Sequence, residues 1–541
     1  MKKYLLMAAA SMMMMPMAAQ ETYENAKLVQ EDLNGTARYV GMGGAMEALG
    51  ADISTIGTNP AGIGVFRHSV VNGSFSYFSQ ADVPDFAKGD KSGMSFDQIG
   101  FVWGHYDSEG SLNLSFNYHK SRNFNYILSA AAGLGNKASQ NTQSYIKMIA
   151  EDKDGVSYPN VSDTKYGLMG NDVSTSQLDN LYYNNFIFDS EGMPYYNFAS
   201  DYLMNREHSG YIGEYDFNIS GSFNDRVFLG LTVGIKDVHY KAFGSYTENL
   251  VNGANQSIGS VTVNDERRIT GDGFDVKAGV IFRPVETSPF RVGIYVHTPT
   301  WYDLTTENVT TFDNQTALRG YNPGWRGSEA YDFKLYTPWK FGLSLGHTIG
   351  KQIALGATYE FADYSHIDSR FNTGEEYDWY YDDIYETSSS DRAMNDHTKR
   401  TLKGVSMLKL GAEYKPVPEV AFRVGYNYLS PMYKEEGFKD PSVDSYGSNY
   451  ASATDYTNWK ATNRLTFGVG YNLGKLSLDL AYQYTGQTGD FKPFTDSWAD
   501  VRALDPATGK VVVVDQIDNY ADKVEVKNNR HQLLMTLGYH F

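Results

Sequence analysis

The chain ends Leu533-Leu534-Met535-Thr536-Leu537-Gly538-Tyr539-His540-Phe541. Side chains of an extended strand alternate between two faces. Leu533, Met535, Leu537, Tyr539 and Phe541 therefore share one face, and Gln532, Leu534, Thr536, Gly538 and His540 share the other. The first face is large and apolar; the second is mostly small or polar. That division suits lipid on one side and a wet interior on the other, and a strand of this kind closing on an aromatic residue is how a membrane-spanning β-barrel finishes. Phe541 is also the terminal residue that a barrel-assembly machinery would meet.

The other end of the chain agrees by an independent route. Lys2-Lys3 precede an apolar run from Tyr4 through Met15, with Ala18-Ala19 before Gln20. This is the pattern of a secretory signal peptide, assigned to residues 1–19. No later segment approaches the roughly 20 consecutive apolar residues of a membrane helix. Export without a helical anchor leaves a periplasmic, secreted or barrel protein.

Composition narrows that choice. Only 41% of the 541 residues are hydrophobic, and a mean hydropathy of −0.44 is far too low for a helical membrane protein. The 42 Tyr, 29 Phe and 7 Trp are what aromatic girdles at both membrane interfaces require. The absence of cysteine excludes disulfides, thiolate metal sites and a cysteine nucleophile. A formal charge of −18 argues against a nucleic-acid partner, since phosphate contacts need a basic surface.

Residues 20–64 do not alternate and are assigned to a compact plug. Val40-Gly41-Met42-Gly43-Gly44-Ala45 packs small residues closely, and Asn59-Pro60-Ala61-Gly62 is turn chemistry. From residue 65 to 541 one strand follows another. The clearest are Leu112–Tyr118, Val227–Ile235, Trp339–Leu345, Ile353–Phe361, Val420–Tyr428, Leu465–Tyr471 and Leu476–Tyr484, each with large apolar residues on one face and Gly, Ser, Thr, Asn or charge on the other. The count is about 14 strands, an even number as a single-chain barrel needs. They are placed at 66–79, 94–106, 111–124, 209–223, 226–241, 265–283, 290–304, 331–349, 352–366, 403–415, 419–432, 458–472, 475–487 and 527–541. Short connections such as Asn224-Asp225, Gly350-Lys351 and Leu473-Gly474 alternate with long ones near 125–208, 242–264 and 367–402. Short periplasmic turns and long external loops then put both termini on the periplasmic side of an outer membrane. The fold expected is all-β: a transmembrane antiparallel barrel with a small plug in its lumen.

Gly41-Met42-Gly43-Gly44-Ala45, Ala51-Asp52-Ile53-Ser54-Thr55 and above all Asn59-Pro60-Ala61-Gly62 resemble the N-terminal hatch of the FadL/TodX-type long-chain fatty-acid and hydrocarbon transporters. His297-Thr298-Pro299-Thr300-Trp301-Tyr302 and Thr337-Pro338-Trp339-Lys340-Phe341 resemble strand segments of the same family. The resemblance implies a monomeric barrel of 14 strands in lipopolysaccharide-bearing outer membrane. It also implies passive uptake of hydrophobic molecules, captured at the external loops and released when the plug shifts. Gly41, Gly43, Gly44, Asn59, Pro60, Ala61 and Gly62 become the plug and gating residues. A kink in the third strand would open the wall sideways, but Ser111–Phe124 contains neither Gly nor Pro to mark one.

Lys236, Lys340, Glu360, Lys409, Glu413, Arg423 and Asp479 fall on the small-residue faces. Their first reading is an ion-pair network that fills the barrel and fixes the plug, because buried charges are normally paired. If a fatty-acid carboxylate is bound, Arg423 and Lys340 are the cations to meet it. The run Glu375–Glu386 mixes carboxylates with aromatics but fits no calcium loop, and reads as a solvated loop tip or a capture patch. No His-Glu-x-x-His, Gly-x-Ser-x-Gly or P-loop occurs, and His119, His239 and His297 have no catalytic spacing, so neither an enzyme nor a cofactor or metal site is expected. The alternative to a transporter is a surface barrel whose long loops bind partners or haem.

Overall fold

A computed structural model describes residues 21–541 apart from 107–109, 148, 152–156, 160–167, 170–172, 175, 186–195, 317–325, 379–382, 441–442, 444 and 446–452. Residues 1–19, read as a signal peptide, lie outside the described residues, as does the 379–382 part of the acidic aromatic run.

Fourteen antiparallel strands close into one barrel. In chain order they begin with Val70–Ala81, Ser92–Tyr106, Gly110–Asn123 continued by Tyr126–Ala138, Ala199–Phe223, Val227–Val251 and Ser257–Phe282. Three broken strands follow: Arg291–His297 with Trp301–Asn314, Arg326–Tyr336 with Lys340–Ile349, and Ile353–Asp363 with Asp368–Asp378. The ring is completed by Gly404–Val417, Val420–Leu429, Tyr456–Leu473, Leu476–Lys492 and the last strand, Val524–Lys527 with Asn529–His540. That last strand pairs with the thirteenth from Leu476↔Tyr539 and with the first from Val70↔His540 to Ala81↔Asn529. The ring is thus closed between its first and last strands, as strands in lipid require.

The alternation does what the sequence pattern implies. Leu533, Leu537 and Phe541 are 54%, 54% and 65% exposed, while Leu534 between them is fully buried. In the fifth strand Leu229, Leu231 and Ile235 face outward, and the outward positions beyond them become Asp237, His239 and Lys241. The change from apolar to charged marks the edge of the lipid belt. Asn224 and Asp225 both have positive φ, which is the two-residue hairpin geometry that right-twisted strands require.

Several strands are taller than expected: the third continues to Ala138 rather than 124, the seventh to Asn314 rather than 304 and the ninth to Asp378 rather than 366. The fourth starts at Ala199 rather than 209, the fifth runs to Val251 rather than 241, and the sixth starts at Ser257 rather than 265. The connection placed at 242–264 is therefore a tight hairpin on extended strands. The hydrogen-bond ladder continues above the belt, where outward residues are polar and the apolar alternation fades. A ladder needs backbone groups, not apolar side chains.

One prediction follows. Leu231→Arg places a charge in the lipid belt and destabilises the barrel by about 2–4 kcal/mol, whereas Thr247→Arg, on the outward face above the belt, changes stability little. Urea unfolding in lipid vesicles measures both.

Candidate functional site

The interior is filled by residues 21–65. A helix, α1 (Thr22–Val29), and a short one, α2 (Ala37–Gly41), are followed by two 3-10 turns, Ile53–Gly57 and Pro60–Val65. Thr36 caps α2 by accepting a hydrogen bond from the Tyr39 N–H, and Asn59 caps the second turn through the Ala61 N–H. The Asn59 amide also donates to Glu47 O at 3.0 Å, tying the two halves of the plug together. Leu33, Val40, Met42, Met46 and Leu49 pack into one cluster with Ala481 and Leu534 of the wall. Each such side chain fully buried contributes about 1.5–3 kcal/mol.

Glycines on the wall's inner face let backbone meet backbone. A Cβ at Gly356 would fall 1.9 Å from Ala45 O, one at Gly411 2.3 Å from Met42 O, and one at Gly425 2.1 Å from Gly43 N. Gly43 itself has φ +64 and lies against Tyr426 and Leu410, so the plug turn also needs glycine there. Gly41, Pro60, Ala61 and Gly62 meet the wall or the plug's own backbone in the same way.

Charge holds what packing positions. Glu47, fully buried, receives Lys409 at 2.8 Å, Tyr39 OH at 3.0 Å and Thr358 Oγ1 at 2.6 Å. Lys409 also pairs with Glu360. Glu31 pairs with Lys340 and, at 3.2 Å, with Lys236. Arg38 meets Glu413 at 3.3 Å, and Arg423 binds Glu413 at 2.6 Å and Asp479 at 2.5 Å. All seven charged positions singled out in the sequence lie in these networks, and Arg423 and Lys340 are already paired. The plug-side partners Glu31, Arg38 and Glu47 were not singled out, because nothing in a non-alternating segment shows which side chains face the wall.

His119, Glu214 and Asp216 offer ligand atoms within 4.8 Å of one another. Lys277 occupies the same space, pairing with Glu214 and lying 2.8 Å from Asp216, and Lys236 lies 3.4 Å from Glu214. Two ammonium groups among these carboxylates make an ion-pair network rather than a metal centre. His239 is exposed beside Asp237, and His297 is buried against Thr58 O, so the three histidines do not converge.

The wall is not hydrogen-bonded throughout. Pairing between the second and third strands stops at Gln98↔His119. The third strand then takes one extra residue against the fourth, between Lys120 and Arg122, and breaks before Tyr126. The second strand has a matching irregularity, since Ser74↔Gln98 is followed by Phe75↔Phe96 and Asp97 is left over. The kink is thus built from bulges, without Gly or Pro. Plug residues fill the space: Asp32 N–H donates to Ser121 O at 2.8 Å, and the Asn34 amide donates to Lys120 O at 3.0 Å and Asp97 Oδ1 at 3.3 Å.

The long-loop end is lidded. Helices Gln140–Lys147 and Gln177–Asn185 lie over the lumen, with Leu178, Leu181 and Tyr182 packed on Tyr202, Leu250, Phe312 and Phe491. Burial alone would raise the Asp179 carboxyl, but Lys147 at 2.6 Å outweighs it and holds the group below its usual range. The first described residues are also here. Glu21 pairs with Lys439 at 2.8 Å, and Thr22 Oγ1 lies 2.8 Å from His397 Nδ1. The last strand ends at the opposite, short-turn end, where Phe541 N–H donates to Ser69 O. The described chain therefore starts at the end opposite to the one expected, because the plug threads the lumen before the wall begins.

No family model matches the chain, and no curated protein matches it. Among solved structures it is similar to the CymD monoaromatic hydrocarbon channel, with TM-score 0.46 and 11% identity over 95% of this chain and 99% of that one. It is also similar to the Ralstonia pickettii toluene transporter TbuX (TM-score 0.45, 12% identity, 94% and 99%). A Pseudomonas aeruginosa FadL homologue gives TM-score 0.44 at 12% identity over 97% and 100%.

Two predictions arise from this site. Gly425→Val forces the plug off the wall while leaving the ladder intact, so the heat-modifiable barrel persists and sensitivity of expressing cells to large antibiotics rises. Glu248 lies above the lipid belt, accepts from Tyr246 OH and the Gln140 N–H, and is pushed by burial from 4.5 up to about 7. An acid raised on folding binds its proton more tightly in the folded state, so stability falls as pH rises from about 4.5 through about 7, by on the order of 3 kcal/mol. Melting curves at pH 5 and pH 8 should differ less in Glu248→Gln than in the wild type.

Proposed function

We propose that the protein is an outer-membrane channel for passive passage of hydrophobic small molecules, long-chain fatty acids first among them, with residues 21–65 as the gate and the short turns in the periplasm. The observation that carries this reading is the stretch between the second and third strands where the backbone ladder stops, bridged by plug residues 32–34 and by the wall side chains Lys120, which donates to Ser95, and Gln80, which bonds the Ile127 backbone. Unpaired backbone at membrane depth is expensive. A closed barrel with a purely structural filling has no reason to keep it, whereas a path sideways from the lumen needs it.

Other features support the same reading. The hairpin Ser497–Leu504 and Val511–Asn519 at the long-loop end exposes Trp498, Leu504, Val513 and Val514. An apolar patch of this kind serves as a capture surface. Asn59 and Pro60 sit where the plug meets the glycine faces of the wall, so a shift of this turn moves the plug as a unit. Of the two cations expected to meet a carboxylate, Lys340 is held by the plug's own Glu31 and is freed when the plug moves. Arg423 is held by Glu413 and Asp479 of the wall and stays occupied.

The test is uptake of labelled long-chain fatty acid by cells with an intact outer membrane, with and without this chain at equal barrel abundance. Uptake that rises with the protein and falls when Asn59 and Pro60 are replaced supports the reading. No difference excludes long-chain fatty acids as the main cargo. Persistence of uptake without the 497–519 hairpin assigns that patch to surface binding of partners or haem instead of capture.

A further inference from the structure

The plug segment that stops the unpaired stretch carries a carboxylate, and the wall answers it with three arginines. Asp32 Oδ1 receives Arg122 Nη1 at 2.9 Å, and Oδ2 receives the Asn123 N–H at 2.9 Å. Arg464, 3% exposed, lies 3.7 Å from the same carboxylate, beyond hydrogen-bond reach, and is otherwise bound to Asn427 Oδ1. Arg530 faces it from the last strand, its guanidinium 4.4 Å from the Phe78 ring centre. Arg122 Nε and Arg530 Nε are buried without hydrogen-bond partners. A cavity of about 60 Å³ lies between them, lined also by Asp97, Tyr126 and Gln532.

Three guanidinium groups here face two carboxylates, Asp32 and Asp97, so the pocket is one negative charge short of balance. Each guanidinium is built to hold a carboxylate through two parallel hydrogen bonds, yet Asp32 gives that geometry to none of them. An arginine cluster left under-coordinated, beside a break in the wall, is a built anion site with a weak internal occupant.

We propose that Asp32 stands in for the head group of an anionic cargo: a carboxylate-bearing amphiphile competes with it for Arg122, Arg464 and Arg530, and so withdraws residues 32–34 from the wall. This rests on the transport reading above. The head group takes the arginines, Asp32 and Asn34 lose their anchor at the Ser121 bulge, and the space between the second and third strands opens beside Met94 and Phe96, both exposed on the lipid face. The cargo's tail then has a route into the bilayer that exists only while its head is bound. Linkage requires the reverse as well: weakening Asp32's hold tightens binding of the anion.

Because the chain has no cysteine, Leu33→Cys introduces a single thiol, and Leu33 is only 6% exposed. In the full-length purified barrel, dodecanoate should raise the rate of maleimide labelling at this thiol about tenfold, while dodecanol, of the same length but uncharged, should not. Asp32→Asn should bind dodecanoate about tenfold more tightly, since the competitor is gone. Arg530→Gln and Arg464→Gln, each in the Leu33→Cys background, should abolish the acceleration; Arg530 is at the edge of the cluster, so its variant decides the matter if Arg464→Gln fails to fold. Equal acceleration by dodecanol, or unchanged or weaker binding in Asp32→Asn, overturns the proposal. If labelling does not respond but cells still take up fatty acid through the wild-type chain, displacement is wrong and transport stands; if uptake is absent too, both readings fall.

Discussion

Everything in this molecule follows from one constraint: in lipid, a backbone N–H or C=O with no partner has no water to turn to. Fourteen strands closed into a ring satisfy it, except where the ladder between the second and third strands stops. The ring, however, encloses a lumen, and the lumen imposes the opposite demand. Its lining must be polar enough to meet water or packed closely enough to exclude it. This chain does both, with glycines where plug and wall backbones touch and paired charges where they do not. The ion pairs Glu47–Lys409, Glu31–Lys340 and Arg38–Glu413 each join the plug to the wall, so the electrostatic cost of burying them is recovered only while the plug is in place.

Most of the wall was legible in the sequence because a period of two is hard to hide in strands with lipid on one face. Strand order, the even count and the short turns could be read directly from runs such as Leu465–Tyr471. The breaks in the seventh and eighth strands fall at Thr298-Pro299 and Thr337-Pro338, where proline removes a ladder donor, but these strands were read as continuous at 290–304 and 331–349. What was not legible is that the facing parity switches across them. Ile294 faces out with the even positions, but beyond the break Trp301 and Asp303 face out with the odd ones.

The same loss of parity concealed the anion cluster. Counting from Leu112, Leu114, Phe116 and Tyr118, position 122 belongs with the lipid-facing set. One extra residue at Ser121 reverses the phase and turns Arg122 inward to Asp32. Arg464 and Arg530 share the inner face with Thr466 and Thr536 and could have been picked out by alternation alone. Their convergence could not, because they lie on the twelfth and fourteenth strands and meet Arg122 only across the lumen. Sequence periodicity reports which way a side chain points along its own strand, not which strands stand opposite one another in a closed ring.

The bulges also bear on why the wall fails where it does. A gap made by proline would be a permanent defect, since proline has no N–H to give the ladder. A gap made by surplus residues, Asp97 on one side and Ser121 on the other, leaves every donor and acceptor intact and only misaligned. Such groups can be satisfied by any partner of the right shape, and here the partner is the plug, through Asp32 N–H and the Asn34 amide. The ladder has thus handed part of its hydrogen bonding to a segment that is not in the wall. The same segment is held further by Arg122 and the Asn123 N–H on the Asp32 carboxylate and by the Asn34 amide on Asp97. The stretch where the ladder between the second and third strands stops is therefore one where wall and plug share their hydrogen bonding.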